Sequence, residues 1–138
     1  MNRRITAIAL LYTLLCCDPV QELEIVNESN DTIFFELSHN RRLEVSPIQK
    51  KNEHDTLWAK MNFALPNQNV KLPLIGKNGW NNFINKRCLD STLTIFFFDD
   101  ELLKNVSQDS LLQHQLYTKK SRFKVTDLEK LHWRIKYD

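Results

Sequence analysis

Thr92-Leu93-Thr94-Ile95-Phe96-Phe97-Phe98 is the stretch that decides the fold. It carries no charge, glycine or proline, and β-branched and aromatic side chains dominate it, which is the composition of a strand. Because its last three positions are all phenylalanine, rings project from both faces. A strand apolar on both faces needs cover on both. The expectation is a central strand, buried on each side.

Downstream, Asp99-Asp100-Glu101 opens a short helix, since carboxylates there accept from free backbone N–H groups and oppose the helix dipole. Residues 109–115 read as a second helical segment and 116–125 as a strand. Thr126-Asp127-Leu128-Glu129 has the form of a capping box opening one helical turn. His132 to Tyr137 alternates as a closing strand, with Trp133, Ile135 and Tyr137 on one face and His132, Arg134 and Lys136 on the other. Upstream, Val70 to Ile75 is strand-like. Pro73 lacks an N–H, which places that strand at a sheet edge. A short helix follows from Trp80, with Phe83 and Ile84 at helical spacing. Residues 22–28 and 31–37 are two alternating strands around Ser29-Asn30, and read as a hairpin. A weak strand is expected around Arg42–Val45, and residues 57–64 are ambiguous.

Six or seven strands with short helices between them predict a mainly β fold, an antiparallel β-sandwich-like domain. An α+β domain with helices on one sheet face is the alternative. At 138 residues, the chain has room for one core.

The amino terminus reads as an address. Arg3 and Arg4 precede an uncharged, mostly apolar run of eleven, Ile5 to Leu15. A membrane span needs about 20 apolar residues; this length is that of a secretory signal core. The run ends in Leu14-Leu15-Cys16-Cys17-Asp18, which resembles a bacterial lipoprotein signal with a loose lipobox. The resemblance implies cleavage after residue 16, a lipidated Cys17 (Cys16 being the alternative), and residues 17–138 as one domain held at a membrane by acyl chains such as palmitate. Acidic Asp18 beside the anchor resembles both an inner-membrane retention signal and a surface-export signal, so which membrane of the cell envelope is left open.

The formal charge of +2 belongs to Arg3 and Arg4, because residues 17–138 hold 17 basic and 17 acidic side chains. A neutral domain gives no ground for a nucleic-acid partner. Its charges are nevertheless sorted. Glu22, Glu24 and Glu28 lie in the first strand, and Lys120, Arg122, Lys124, Arg134 and Lys136 in the last two. If the last two strands share a sheet, these five cations form a basic face toward an anionic glycan, headgroup or protein. If instead the acidic strand lies beside a basic one, the charges cancel, so strand 22–28 should neighbour 132–137 or 118–125.

Other candidates are few. Cys88 follows Lys86-Arg87, cations that would lower a thiol pKa, although a lone cysteine usually packs as a small hydrophobe. Among Trp58, Trp80 and Trp133, Trp80 is the best placed to stack on a sugar ring, since it follows two glycines. His39, His54, His114 and His132 have no metal-ligand spacing, and no cofactor motif is present. Asp31-Thr32-Ile33, Asp55-Thr56-Leu57, Asp90-Ser91-Thr92 and Asp109-Ser110-Leu111 resemble the Bacteroidetes O-glycosylation acceptor, which makes Thr32, Thr56, Ser91 and Ser110 candidate acceptors. The competing reading is element initiation by Asp-Ser and Asp-Thr pairs.

Trp80, residues 93–99, Tyr117–Lys120 and the run from Asp127 to Tyr137 together resemble small uncharacterised lipoproteins of the Bacteroidetes, and Ile25 to Ile33 also fits. The resemblance implies an envelope address but supplies no activity. The functional expectation is a non-enzymatic binding or accessory module for a glycan or an envelope protein. An immunity-type or inhibitor lipoprotein and a small hydrolase are the alternatives.

Overall fold

The structure, a computed structural model, describes residues 20–46, 48–50, 58–60, 62–76 and 78–138. Its strands are β1 (Val20–Asn27), β2 (Ile33–Ser38), β3 (Ile48–Lys50), β4 (Trp58–Lys60), β5 (Phe63–Ala64), β6 (Asn69–Ile75), β7 (Leu93–Asp99), β8 (Lys119–Phe123) and β9 (Arg134–Tyr137). Its helices are α1 (Gly79–Arg87), α2 (Asp100–Asn105), α3 (Gln108–His114) and α4 (Val125–Lys130), with a 3₁₀ turn at Leu89–Ser91. The fold is β-rich with a few short helices. The strands form a sheet of order β6-β1-β9, a sheet of order β5-β2-β7-β8, and the small pair β3-β4.

The central strand is where the sequence puts it. β7 lies between β2 and β8, and Leu93 to Phe98 are all buried. Leu93, Ile95 and Phe97 join Ile33 and Phe35 against Leu23, Ile25, Ile135 and Tyr137 of the other sheet, so the main core lies between the two sheets. Phe96 and Phe98 face the opposite way, into a second core with Phe34, Leu43, Leu103 of α2 and Leu111 of α3. The helices are thus the cover that the second phenylalanine face requires. Asp99 caps α2 by accepting from Leu102 N–H at 2.7 Å, and Ser107 caps α3.

β6 is an edge strand, as Pro73 demands, and α1 begins at Gly79. A Cβ on Gly79 would stand 2.5 Å from the Leu74 carbonyl oxygen, so only glycine lets the helix start this close to β6. Gln21 of β1 seals the junction, accepting from the N–H groups of Trp80 at 2.8 Å and Asn81 at 3.2 Å.

The structure corrects several local expectations. Residues 22–37 are not a hairpin, because β1 and β2 belong to different sheets. Alternation fixes which face of a strand is buried but not which strand it pairs with. Asn27 builds the crossing between layers. It is fully buried, its amide donates to the carbonyls of Asp31, Ala64 and Leu65, and its Oδ1 accepts from Ser29 N–H. Residues 42–45 form no strand; Leu43 instead drops into the second core, held by both ends of the Gln115 amide. The cap of α4 sits earlier than the Thr126–Glu129 box, since Lys124 N–H donates to Asp127 Oδ2 at 3.0 Å. His132 and Trp133 are not strand residues. Both have positive φ, and the Trp133 N–H returns to the Leu128 carbonyl at 2.7 Å, so the helix ends in a left-handed turn before β9. β9 then runs parallel to β1, an exception to the antiparallel pairing elsewhere.

Candidate functional site

The basic residues of the last two strands do not form one surface. β8 belongs to the four-stranded sheet and β9 to the three-stranded one. The expected five-cation face is therefore split. The reason is the length of the connection: α4 and its left-handed exit carry the chain across to the other layer.

On β9 the charges cancel against β1. Glu24 is the register partner of Arg134, with Oε2 2.6 Å from Arg134 Nε, and Lys136 Nζ is 2.5 Å from Glu28 Oε1. Lys71 of β6 bonds Glu22 on the other side at 2.8 Å, which raises the Lys71 pKa through the hydrogen bond and the carboxylate charge. The acidic first strand is thus flanked by cations on both neighbours, as the neutralising alternative requires.

On β8, Lys120 is half-buried. Its Nζ donates to the Arg41 carbonyl at 2.6 Å and lies 5.1 Å from the Phe96 ring centroid, a cation–π contact that helps cover the second core. Arg122 and Lys124 are exposed. Lys119 bridges the layers, bonding Asp138 at 3.1 Å and lying over the Tyr137 ring; this holds the Asp138 carboxyl below its ordinary pKa.

Among the described residues, surface grooves offer candidate contact areas, of which two matter here. One, of about 430 Å³, opens at the seam between β8 and β9 and is lined by Phe123, Leu131, His132, Arg134, Ile135 and Lys136. Phe123, Leu131 and Ile135 give it an apolar part, with Leu131 45% exposed, and His132, Arg134 and Lys136 supply its polar groups. The other, of about 630 Å³, runs past Asp31, Thr32, Asp99, Asp100 and Glu101, with Lys104 as its cation. Two of its acids already have partners: Asp99 caps α2 and accepts from the Thr118 hydroxyl, and Asp100 pairs with Lys104.

Trp80 is not an exposed platform. It is buried, its Nε1 donates to the Leu72 carbonyl at 2.9 Å, and Phe83 meets it edge-on at 5.7 Å. The close start of α1 at Gly79 turns the ring inward. Trp133 also packs against the main core. Cys88 is buried at the end of α1, where loss of hydration pushes its thiol up to about 11, while Lys86 and Arg87 point to solvent. The environment therefore suppresses the thiolate rather than favouring it.

Among the acceptor-like triplets, Thr32 lies just before β2, Ser91 just before β7, and Ser110 in the first turn of α3, all half-buried. Ser107, not the Asp109-Ser110 pair, caps α3 by accepting from the Ser110 N–H, and Thr92 rather than Ser91 donates its hydroxyl to the Asp90 carbonyl. Residues 1–19, with Cys16 and Cys17, together with His54, Thr56 and the Trp58 side chain, lie outside the described residues. Among the described residues no three His, Cys, Asp or Glu side chains converge on a metal-sized site.

Sequence reasoning missed Asn27, Gln115 and Glu36. Asn27 had a signal, since it shares the inward phase of Leu23 and Ile25. Glu36 lies on the second-core face opposite Phe96, where burial raises its pKa to about 7 against a lowering hydrogen bond from Asn62. Comparison with protein-family models, with curated proteins and with solved structures finds no match to this chain.

Proposed function

We propose that this chain is a cell-envelope lipoprotein, anchored through Cys17, whose β-rich domain works by binding a glycan or an envelope protein at the membrane surface. The address rests on the sequence Arg3-Arg4, the apolar run to Leu15 and the cysteine pair after it. The observation that carries a binding role is the groove between β8 and β9, where apolar Phe123, Leu131 and Ile135 lie beside His132, Arg134 and Lys136. Apolar walls with a few polar groups at the rim are the usual makeup of a contact site. The buried, thiol-form Cys88 supports binding over nucleophilic catalysis.

The test has two arms. Metabolic labelling with an alkyne fatty acid in a bacterial host should mark the full chain. Cys17→Ala should abolish the label and Cys16→Ala should retain it; an unlabelled wild-type chain overturns the anchor. In the second arm, a glycan array and an envelope pull-down compare the wild type with Leu131→Asp. Binding that the substitution weakens supports the groove, and binding that it leaves unchanged removes the groove from the reading.

A further inference from the structure

One end of the three-stranded sheet is apolar on its outer face. Val20 opens β1 and Ile75 closes β6, and the two are register partners, so their side chains stand roughly 5 Å apart on one face. They are 53% and 78% exposed. Pro73, the next residue on that face of β6, is exposed as well and lies opposite Glu22. Beyond this point the face becomes charged, through the pairs Glu22–Lys71, Glu24–Arg134 and Glu28–Lys136. At about 3.3 Å per strand residue, Val20 is roughly 7 Å from Glu22 and 13 Å from Glu24 along β1. Polarity therefore rises with distance from Val20.

Single exposed apolar residues need no explanation. This pair has one because of its place in the chain. Cys17 is three residues before Val20, and three residues span at most about 11 Å even when fully extended. The layer between hydrocarbon and water is on the order of 5–8 Å thick on each side of a bilayer. An acyl chain on Cys17 thus leaves the Val20–Ile75 end no room to stand far from the membrane. The ion pairs beyond it are internally matched, so the contact asks for no particular lipid charge.

We propose that the end of β1 and β6 carrying Val20, Pro73 and Ile75 seats in the interfacial layer of the bilayer. This fixes the domain with β1 rising from the membrane and the Asn67 turn, next to the far end of that strand pair, directed away. The proposal rests on the lipid-anchor reading of Cys17. The acyl chains then supply the anchoring, and the exposed pair sets how the domain lies on the surface.

The test uses the processed, acylated chain purified from membranes and returned to phosphatidylcholine vesicles. A spin label is placed at Ile75→Cys or, as control, at Asn67→Cys, both exposed sites; Cys88 is buried and poorly reactive at neutral pH. Intact mass reports the acyl chains, and oxygen against a water-soluble nickel complex reports depth. The expected result is a several-fold higher ratio of oxygen to nickel accessibility at 75 than at 67, unchanged by high salt or by added anionic lipid. A Val20→Cys label should match the one at 75. Equal water accessibility at 75 and 67 in a chain whose mass includes acyl groups overturns the seating and leaves the anchor standing. A mass without acyl groups overturns both.

Discussion

Glu24 and Arg134 face each other across the parallel pair β1 and β9, with Oε2 and Nε 2.6 Å apart; the Glu24 side chain is 17% exposed and that of Arg134 52%. The bond joins the amino-terminal strand to the carboxy-terminal one. Half of it is open to water, so its net contribution should be modest, about 0.5–1 kcal/mol, and reduced by salt. A double-mutant cycle with Glu24→Gln and Arg134→Met, read by urea denaturation, should return a coupling of that size. Glu24→Arg should cost more than either, because it adds a cation beside Arg134 and Lys71. A coupling near zero at low salt would remove this pair as a determinant of strand order.

Asn27 should be the most sensitive polar residue. Its amide serves three carbonyls at the crossing between layers from a fully buried position. Asn27→Ala leaves those acceptors short of donors and should cost about 2–3 kcal/mol. Asn27→Asp keeps the shape but aims a carboxylate at the same carbonyls, and should cost at least as much. Chemical denaturation showing either variant within about 0.5 kcal/mol of wild type, the scale of an ordinary surface substitution, would show that the crossing does not depend on this side chain.

Gly79→Ala sets two effects against each other. Alanine favours a helix over glycine by about 1 kcal/mol. The added Cβ would stand 2.5 Å from the Leu74 carbonyl oxygen, a backbone atom that moves only if β6 moves. Steric conflict should win, with a net loss of about 1–3 kcal/mol. A thermal melt in which the variant is more stable than wild type would mean that α1 can shift away from β6.

How much of this was legible in the sequence depended on whether the signal was local. Thr92 to Phe98 specified a covered central strand because nothing polar competed with its pattern. Pro73 specified an edge through its missing N–H. The neighbourhood of β1 and β9 followed from opposite charges in two otherwise alternating strands. The hairpin reading of 22–37 failed because period two says nothing about pairing partners, and the true crossing is set by one buried amide at Asn27. Trp80 was misplaced for a similar reason. An indole after glycines suits a surface loop or a buried helix start equally, and only the approach of α1 to Leu74 decides between them. The basic face failed because the left-handed turn at His132 and Trp133 changes the sheet in which β9 lies.

Glu36 gives the domain a pH dependence whose sign follows from its burial. Its folded pKa is about 7, against an ordinary value of 4.5, because burial disfavours the carboxylate. The folded state therefore holds a proton that the unfolded state releases first. Below about pH 4.5 both states are protonated and the residue is neutral in effect. As pH rises from there to about 7, the unfolded chain ionises and gains hydration that the folded one lacks, so stability falls. The loss should be about 2 kcal/mol, less than full linkage would give, because the carboxyl keeps part of its contact with water. Urea midpoints measured between pH 4.5 and 8 should decline across this window in the wild type. In Glu36→Gln, which keeps the shape and removes the titration, the decline attributable to this group should vanish, and the variant should be the more stable of the two at pH 8. Parallel pH profiles for the two proteins would mean that Glu36 reaches solvent freely when it ionises.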